Sequence, residues 1–183
     1  MALNWIPNAL TLARCGLAFG VAWLILSMPA PAIWPLAAFI AVAATDFVDG
    51  WAARKLNAVS ALGAFLDPIA DKLLVGLSLL TLATTQDWNM LVVIPSALII
   101  ARDIIATGLR LVPAIEMPVS RLAKWKTALE MIGIGALLLA GPVASAWVWT
   151  LGLILIWLAA LLSVYTLGLY LGTIIADAKR PQS

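Results

Sequence analysis

The chain has no histidine and one cysteine, Cys15, in 183 residues. The first absence removes the side chain most often used as a general base and makes a typical zinc site improbable. The second excludes an intramolecular disulfide. Cys15 lies inside an apolar run, where core packing is its expected role. Charge is scarce as well: Asp, Glu, Lys and Arg make up 11% of the residues, against roughly a quarter in a soluble domain. There is no low-complexity tract, no convincing internal repeat and no hydrophilic stretch long enough for a second domain. Residues 1–183 therefore read as a single unit. The net charge of +2 says little by itself; the basic residues follow the positive-inside bias, and nothing beyond them suggests nucleic-acid binding.

What is abundant is apolar surface. Hydrophobic residues make up 64% of the chain, more than a domain of this length could hide from water, so the expected solvent is lipid. A helix needs about 20 apolar residues to span a bilayer. Six such runs occur, near residues 8–28, 33–55, 63–84, 90–112, 121–141 and 146–176. The last is longer than a span requires, which predicts tilt or projection beyond the bilayer. The first is read as a retained helix, because no basic region and cleavage site mark it as a signal peptide.

Basic residues orient the runs, since Lys and Arg are enriched on the cytoplasmic side. Arg54 and Lys55 follow the second run, Arg121, Lys124 and Lys126 open the fifth, and Lys179 and Arg180 close the chain. The alternate connections, 28–35, 85–89 and 141–146, contain no Lys or Arg. The expectation is an all-α polytopic membrane protein with six transmembrane helices and both termini cytoplasmic. Trp34, Trp88 and Trp147 fall near predicted boundaries, where aromatic rings anchor to the interface.

Against this background four acids stand out: Asp46 and Asp49 at the end of the second run, Asp67 and Asp71 at the start of the third. Ionisable groups in a span cost at least ~2.5–3.5 kcal/mol each near the bilayer centre and are functional candidates by default. On a helix, spacings of three and four place residues about 60° and 40° apart. Each pair therefore shares a face, and the short segment 54–62 makes the two helices antiparallel neighbours. Gly50, Ala53 and Gly63 extend the same faces with small side chains that allow close approach. Four facing carboxylates repel unless neutralised, and two divalent cations cancel four charges. All-oxygen ligation suits Mg²⁺ or Mn²⁺. On charges alone, structural ion pairs with Arg54 or Lys72 and a proton or cation pathway remain alternatives. Against a transporter, the acids occur once, with no counterpart in the second half of the chain.

The spacing Asp46-x2-Asp49-Gly50-x2-Ala53-Arg54-x8-Gly63-x3-Asp67-x3-Asp71 resembles the complete signature of the CDP-alcohol phosphotransferase family, with all eight fixed positions matched. The resemblance implies a homodimeric enzyme of the bacterial inner membrane that transfers a phosphatidyl group from CDP-diacylglycerol, with its active site facing the cytoplasm. It implies that Asp46, Asp49, Asp67 and Asp71 hold two metal ions, Mg²⁺ or Mn²⁺, and that Asp71 is the general base. It also implies that Gly50, Ala53, Arg54 and Gly63 line the CDP pocket with the metal-binding acids Asp46 and Asp49.

Residues 6–14, Ile-Pro-Asn-Ala-Leu-Thr-Leu-Ala-Arg, are similar to the first span of family members that use glycerol 3-phosphate and of relatives that use phosphatidylglycerol. Asn8 and Thr11, three apart, either meet the nucleotide or cap the helix that Pro7 introduces. Arg102 and Arg110 on the fourth run, with Arg121, Lys124 and Lys126 before and within the fifth, offer up to five cations. These suit the dianion of a phosphate monoester and point to glycerol 3-phosphate as the acceptor. Contact with lipid headgroups is the other reading of Arg121, Lys124 and Lys126, and Asp103 is a possible counter-ion of Arg102. A member using phosphatidylglycerol as acceptor is the alternative within the family. Glu130 has no assigned role and is expected to pair with a basic residue of a neighbouring helix.

Overall fold

A computed structural model describes residues 5–28, 31–56, 61–110 and 121–178. The side chains of 5–10, 46–56, 61–68, 71, 110, 121, 123, 124 and 173–178 lie outside the description. The described residues form six helices, α1 (Trp5–Ser27), α2 (Trp34–Leu56), α3 (Ala61–Thr85), α4 (Met90–Arg110), α5 (Arg121–Ala140) and α6 (Ala146–Ala178), and no strand. They coincide with the six apolar runs to within a few residues. At 1.5 Å per residue, α6 is about 50 Å long, longer than the hydrocarbon core of about 30 Å. Among the described residues, Met90–Leu109 and Ala146–Gly172 are long and apolar enough to cross a membrane.

Apolar side chains are not confined to the interior, as they largely are in a soluble bundle. Large apolar side chains point outward on every helix, for instance Phe19, Ile40, Leu80, Ile104 and Ile132. On α6, Leu151, Ile154, Leu158, Leu161 and Tyr165 form an exposed stripe at helical spacing. Soluble proteins rarely expose apolar patches of this extent. Inside, beside an apolar core of Val21, Phe39, Leu74, Leu79, Ile99, Ile134 and Ile156, lie Arg14, Arg102, Asp103, Lys126 and Glu130. Apolar outside with ionisable groups inside is the arrangement a lipid solvent imposes.

The connections α3–α4 and α5–α6 are short and held by backbone bonds. At the end of α3, the amide of Trp88 donates to the carbonyl of Ala83 at 2.9 Å, with positive φ at Asp87 and Trp88. Asn89 then caps α4, its side-chain oxygen accepting from the Leu91 amide at 2.9 Å. Between α5 and α6, the amide of Ser145 donates to the carbonyl of Ala140 at 3.2 Å, and Ala144 takes a positive φ of 48°.

Two packing devices lock α6 to its neighbours. A Cβ on Gly152 would lie 2.8 Å from Leu137 Cγ and 3.0 Å from the Leu137 backbone nitrogen, so only glycine permits this approach of α5 and α6; Gly133 meets Ile156 in the same way. On α4, Pro95 has no N–H to give to the carbonyl four residues earlier. That carbonyl, on Leu91, instead accepts from Trp157 Nε1 of α6 at 3.0 Å. In a membrane such a carbonyl has no water to turn to.

Candidate active site

The helix ends sort into two groups. A cavity of about 490 Å³ brings together the C-terminal ends of α1, α3 and α5 and the N-terminal ends of α2 and α6, and no ionisable residue is among its described walls. The opposite end of the bundle therefore holds the C-terminal half of α2 and the N-terminal half of α3. These are the segments that carry Asp46, Asp49, Asp67 and Asp71, and α2 packs against α3. The side chains of these four acids lie outside the described residues, as do those of Asn8, Gly50, Ala53, Arg54, Gly63, Arg110, Arg121 and Lys124. The donor set is all oxygen and the chain has no imidazole to compete, a chemistry that suits a hard divalent cation.

α1 packs closely against α3 and brings two polar residues to the interior. Thr11 and Arg14 are both 2% exposed. α1 begins at Trp5, three residues before Asn8, so Asn8 is not its cap. Sequence reasoning gives Arg14 no role beyond the end of a motif. The signal that could have found it is an arginine placed inside the first apolar run.

The described part of the basic group is a buried cluster on α4, α5 and α6. Arg102 is 5% exposed and Lys126 3%. Arg102 Nη1 donates to Asp103 Oδ1 at 3.0 Å. Its Nη2 donates to Thr166 Oγ1 at 3.2 Å, while the Thr166 hydroxyl donates to the Ser163 carbonyl at 3.0 Å. The guanidinium sits 5.7 Å from the centre of the Tyr170 ring, within cation–π range. Lys126 Nζ donates to the same Asp103 Oδ1 and pairs with Glu130 Oε1 at 3.1 Å. Glu130 thus finds its partner on its own helix rather than on a neighbouring one. The i, i+4 spacing places the two side chains on one face.

Lys72 extends this cluster to α3. Its ammonium donates to the Asp103 carbonyl at 3.1 Å and to Thr107 Oγ1 at 2.6 Å. Lys72 and Thr107 line a cavity of about 410 Å³ between α3 and α4, whose other walls are mainly Ile, Leu and Val. Sequence reasoning offers Asp103 only as a possible counter-ion and gives Thr107 and Thr166 no part. The adjacency of Arg102 and Asp103 is the one local hint of the arrangement.

The match to known proteins is consistent with this architecture. A family profile described as CDP-alcohol phosphatidyltransferase covers residues 4–165. The chain belongs to that family. Relatives span its length. A Rickettsia bellii protein named CDP-diacylglycerol--glycerol-3-phosphate 3-phosphatidyltransferase is 40% identical over 167 residues, 88% of this chain and 90% of its own. A Shigella flexneri protein of the same name is 37% identical, covering 94% of this chain and 96% of its own. The Arabidopsis thaliana protein named CDP-diacylglycerol--glycerol-3-phosphate 3-phosphatidyltransferase 1, chloroplastic/mitochondrial is 35% identical over 91% of this chain and 61% of its own. The matched region includes α2 and α3 entirely, with the eight signature positions inside it.

Proposed function

We propose that this chain transfers a phosphatidyl group from CDP-diacylglycerol to glycerol 3-phosphate, releasing CMP and leaving phosphatidylglycerol phosphate in the bilayer. The observation that carries the reading is the unbroken eight-position signature on two neighbouring helices, in a chain 40% identical to a relative named for this reaction. In this reading all six helices span a bacterial inner membrane. Both termini and the acidic end face the cytoplasm, and the protein works as a homodimer.

Asp46, Asp49, Asp67 and Asp71 would hold two divalent cations, Mg²⁺ or Mn²⁺. Bound there, such ions offset charge on a diphosphate and on a departing phosphate. The remaining work falls to the chain. Asn8, Thr11, Gly50, Ala53, Arg54 and Gly63 form the CDP pocket, the small residues admitting the nucleotide close to the helix backbones. Arg102, Arg110, Arg121, Lys124 and Lys126 attract and orient the acceptor's phosphate. Asp71 takes the proton from the acceptor's primary hydroxyl. That oxygen bonds to the diacylglycerol-bearing phosphorus as the bond from this phosphorus to the CMP oxygen breaks. The acyl chains stay in lipid while CDP and acceptor enter from water.

The test is a steady-state comparison of Arg110→Ala, Arg121→Ala and Lys124→Ala. A rise in KM for glycerol 3-phosphate at unchanged KM for CDP-diacylglycerol is expected. Acceptor KM values equal to wild type in all three would count against the acceptor site.

A further inference from the structure

Arg102 and Lys126 reach one carboxylate oxygen from two different helices, and a carboxylate buried in a span is costly. Replacing a buried ion pair with well-packed apolar residues is often neutral or stabilising. Packing alone therefore does not call for this cluster. Its ion-paired members are Arg102 and Lys126 with Asp103 and Glu130, and Lys72 adds a third cation beside them.

The geometry leaves donors spare. Arg102 Nε is buried and has no hydrogen-bond partner among the described residues. Lys126 has three N–H bonds; Asp103 Oδ1 accepts one of them, and Glu130 is held only as an ion pair at 3.1 Å. Without Asp103, two like charges that now converge on one oxygen would repel. The Asp103 carbonyl meanwhile anchors Lys72, the residue after Asp71, so one residue ties the basic group of α4 and α5 to the acid-bearing turn of α3.

We infer that Asp103 is a positioning residue for the acceptor: its carboxylate holds Arg102 and Lys126 with their remaining donors available to the phosphate of glycerol 3-phosphate. The inference rests on the reading of glycerol 3-phosphate as acceptor. Asp103 itself touches neither substrate.

The experiment measures KM for each substrate separately in purified Asp103→Asn. KM for glycerol 3-phosphate rises by roughly tenfold or more, while KM for CDP-diacylglycerol moves by less than about threefold. Asp103→Glu, which keeps the charge, recovers part of the acceptor KM. In the background of Lys126→Met the Asp103→Asn change adds less than it does in the wild-type protein, because only Arg102 is left for it to position. That double variant removes one charge of each sign and so keeps the protein measurable if Asp103→Asn alone fails to fold. A merely structural Asp103 would lower kcat with the folded fraction and leave both KM values alone, or would add its full effect to Lys126→Met; either result overturns the inference. Wild-type protein that ignores glycerol 3-phosphate defeats the acceptor reading. Normal wild-type kinetics with an unshifted Asp103→Asn defeats the positioning role alone.

Discussion

Trp157 of α6 donates its indole N–H to the Leu91 carbonyl of α4 at 3.0 Å, at the position where Pro95 has withdrawn the helical donor. A proline and a tryptophan 62 positions apart in sequence thus act as a pair. Trp157→Phe leaves that carbonyl without its indole donor and should destabilise the bundle by about 0.5–1.5 kcal/mol. Pro95→Ala restores the helical N–H, so the Trp157→Phe cost should largely vanish in that background. Thermal unfolding of the four proteins in detergent checks the cycle.

The α5–α6 seam gives a second prediction. Gly152→Val drives a side chain into Leu137 and its backbone nitrogen, and overpacking of this kind costs about 1–3 kcal/mol. On the same helix, a Cβ added at Gly168 would meet nothing within 4 Å, and Gly168→Ala should be neutral or stabilising by up to about 1 kcal/mol. Unfolding midpoints of both variants measure the contrast.

Asp71 is the proposed base. Asp71→Asn should lower kcat by roughly 10²–10⁴-fold with the bundle still folded. Chelation of divalent ions should stop CMP release in the wild-type protein, and Mg²⁺ or Mn²⁺ should restore it. CMP release after exhaustive chelation would remove the metal from the account.

Orientation is testable without substrate. In a Cys15→Ser background, cysteines placed at Gln86 and Ser145 should react with a membrane-impermeant maleimide from outside intact spheroplasts. A cysteine at Ser183 should react only after lysis. Labelling of all three from the same side would refute six spans.

Much of this architecture is legible in the sequence. The six apolar runs become six helices because hydropathy and length suffice when the solvent is lipid. The acids are legible because charge is rare in such a chain and their spacing matches a known signature. What the sequence leaves open are pairings across helices. Nothing local says that Lys126 shares an oxygen of Asp103 with Arg102, or that Lys72 turns to the α4 backbone. Those contacts depend on the relative rotation of α3, α4 and α5, and periodicity does not encode it. Glu130 shows the opposite case. Its partner lies four residues back on the same helix, within reach of a local rule, whereas the expectation pointed to a neighbouring helix.

The most direct measurement is product analysis by mass spectrometry after incubating the purified protein with CDP-diacylglycerol, Mn²⁺ and an equimolar mixture of glycerol 3-phosphate and phosphatidylglycerol. Phosphatidylglycerol phosphate formed in step with CMP is the predicted result. Cardiolipin formed while glycerol 3-phosphate remains untouched would contradict it.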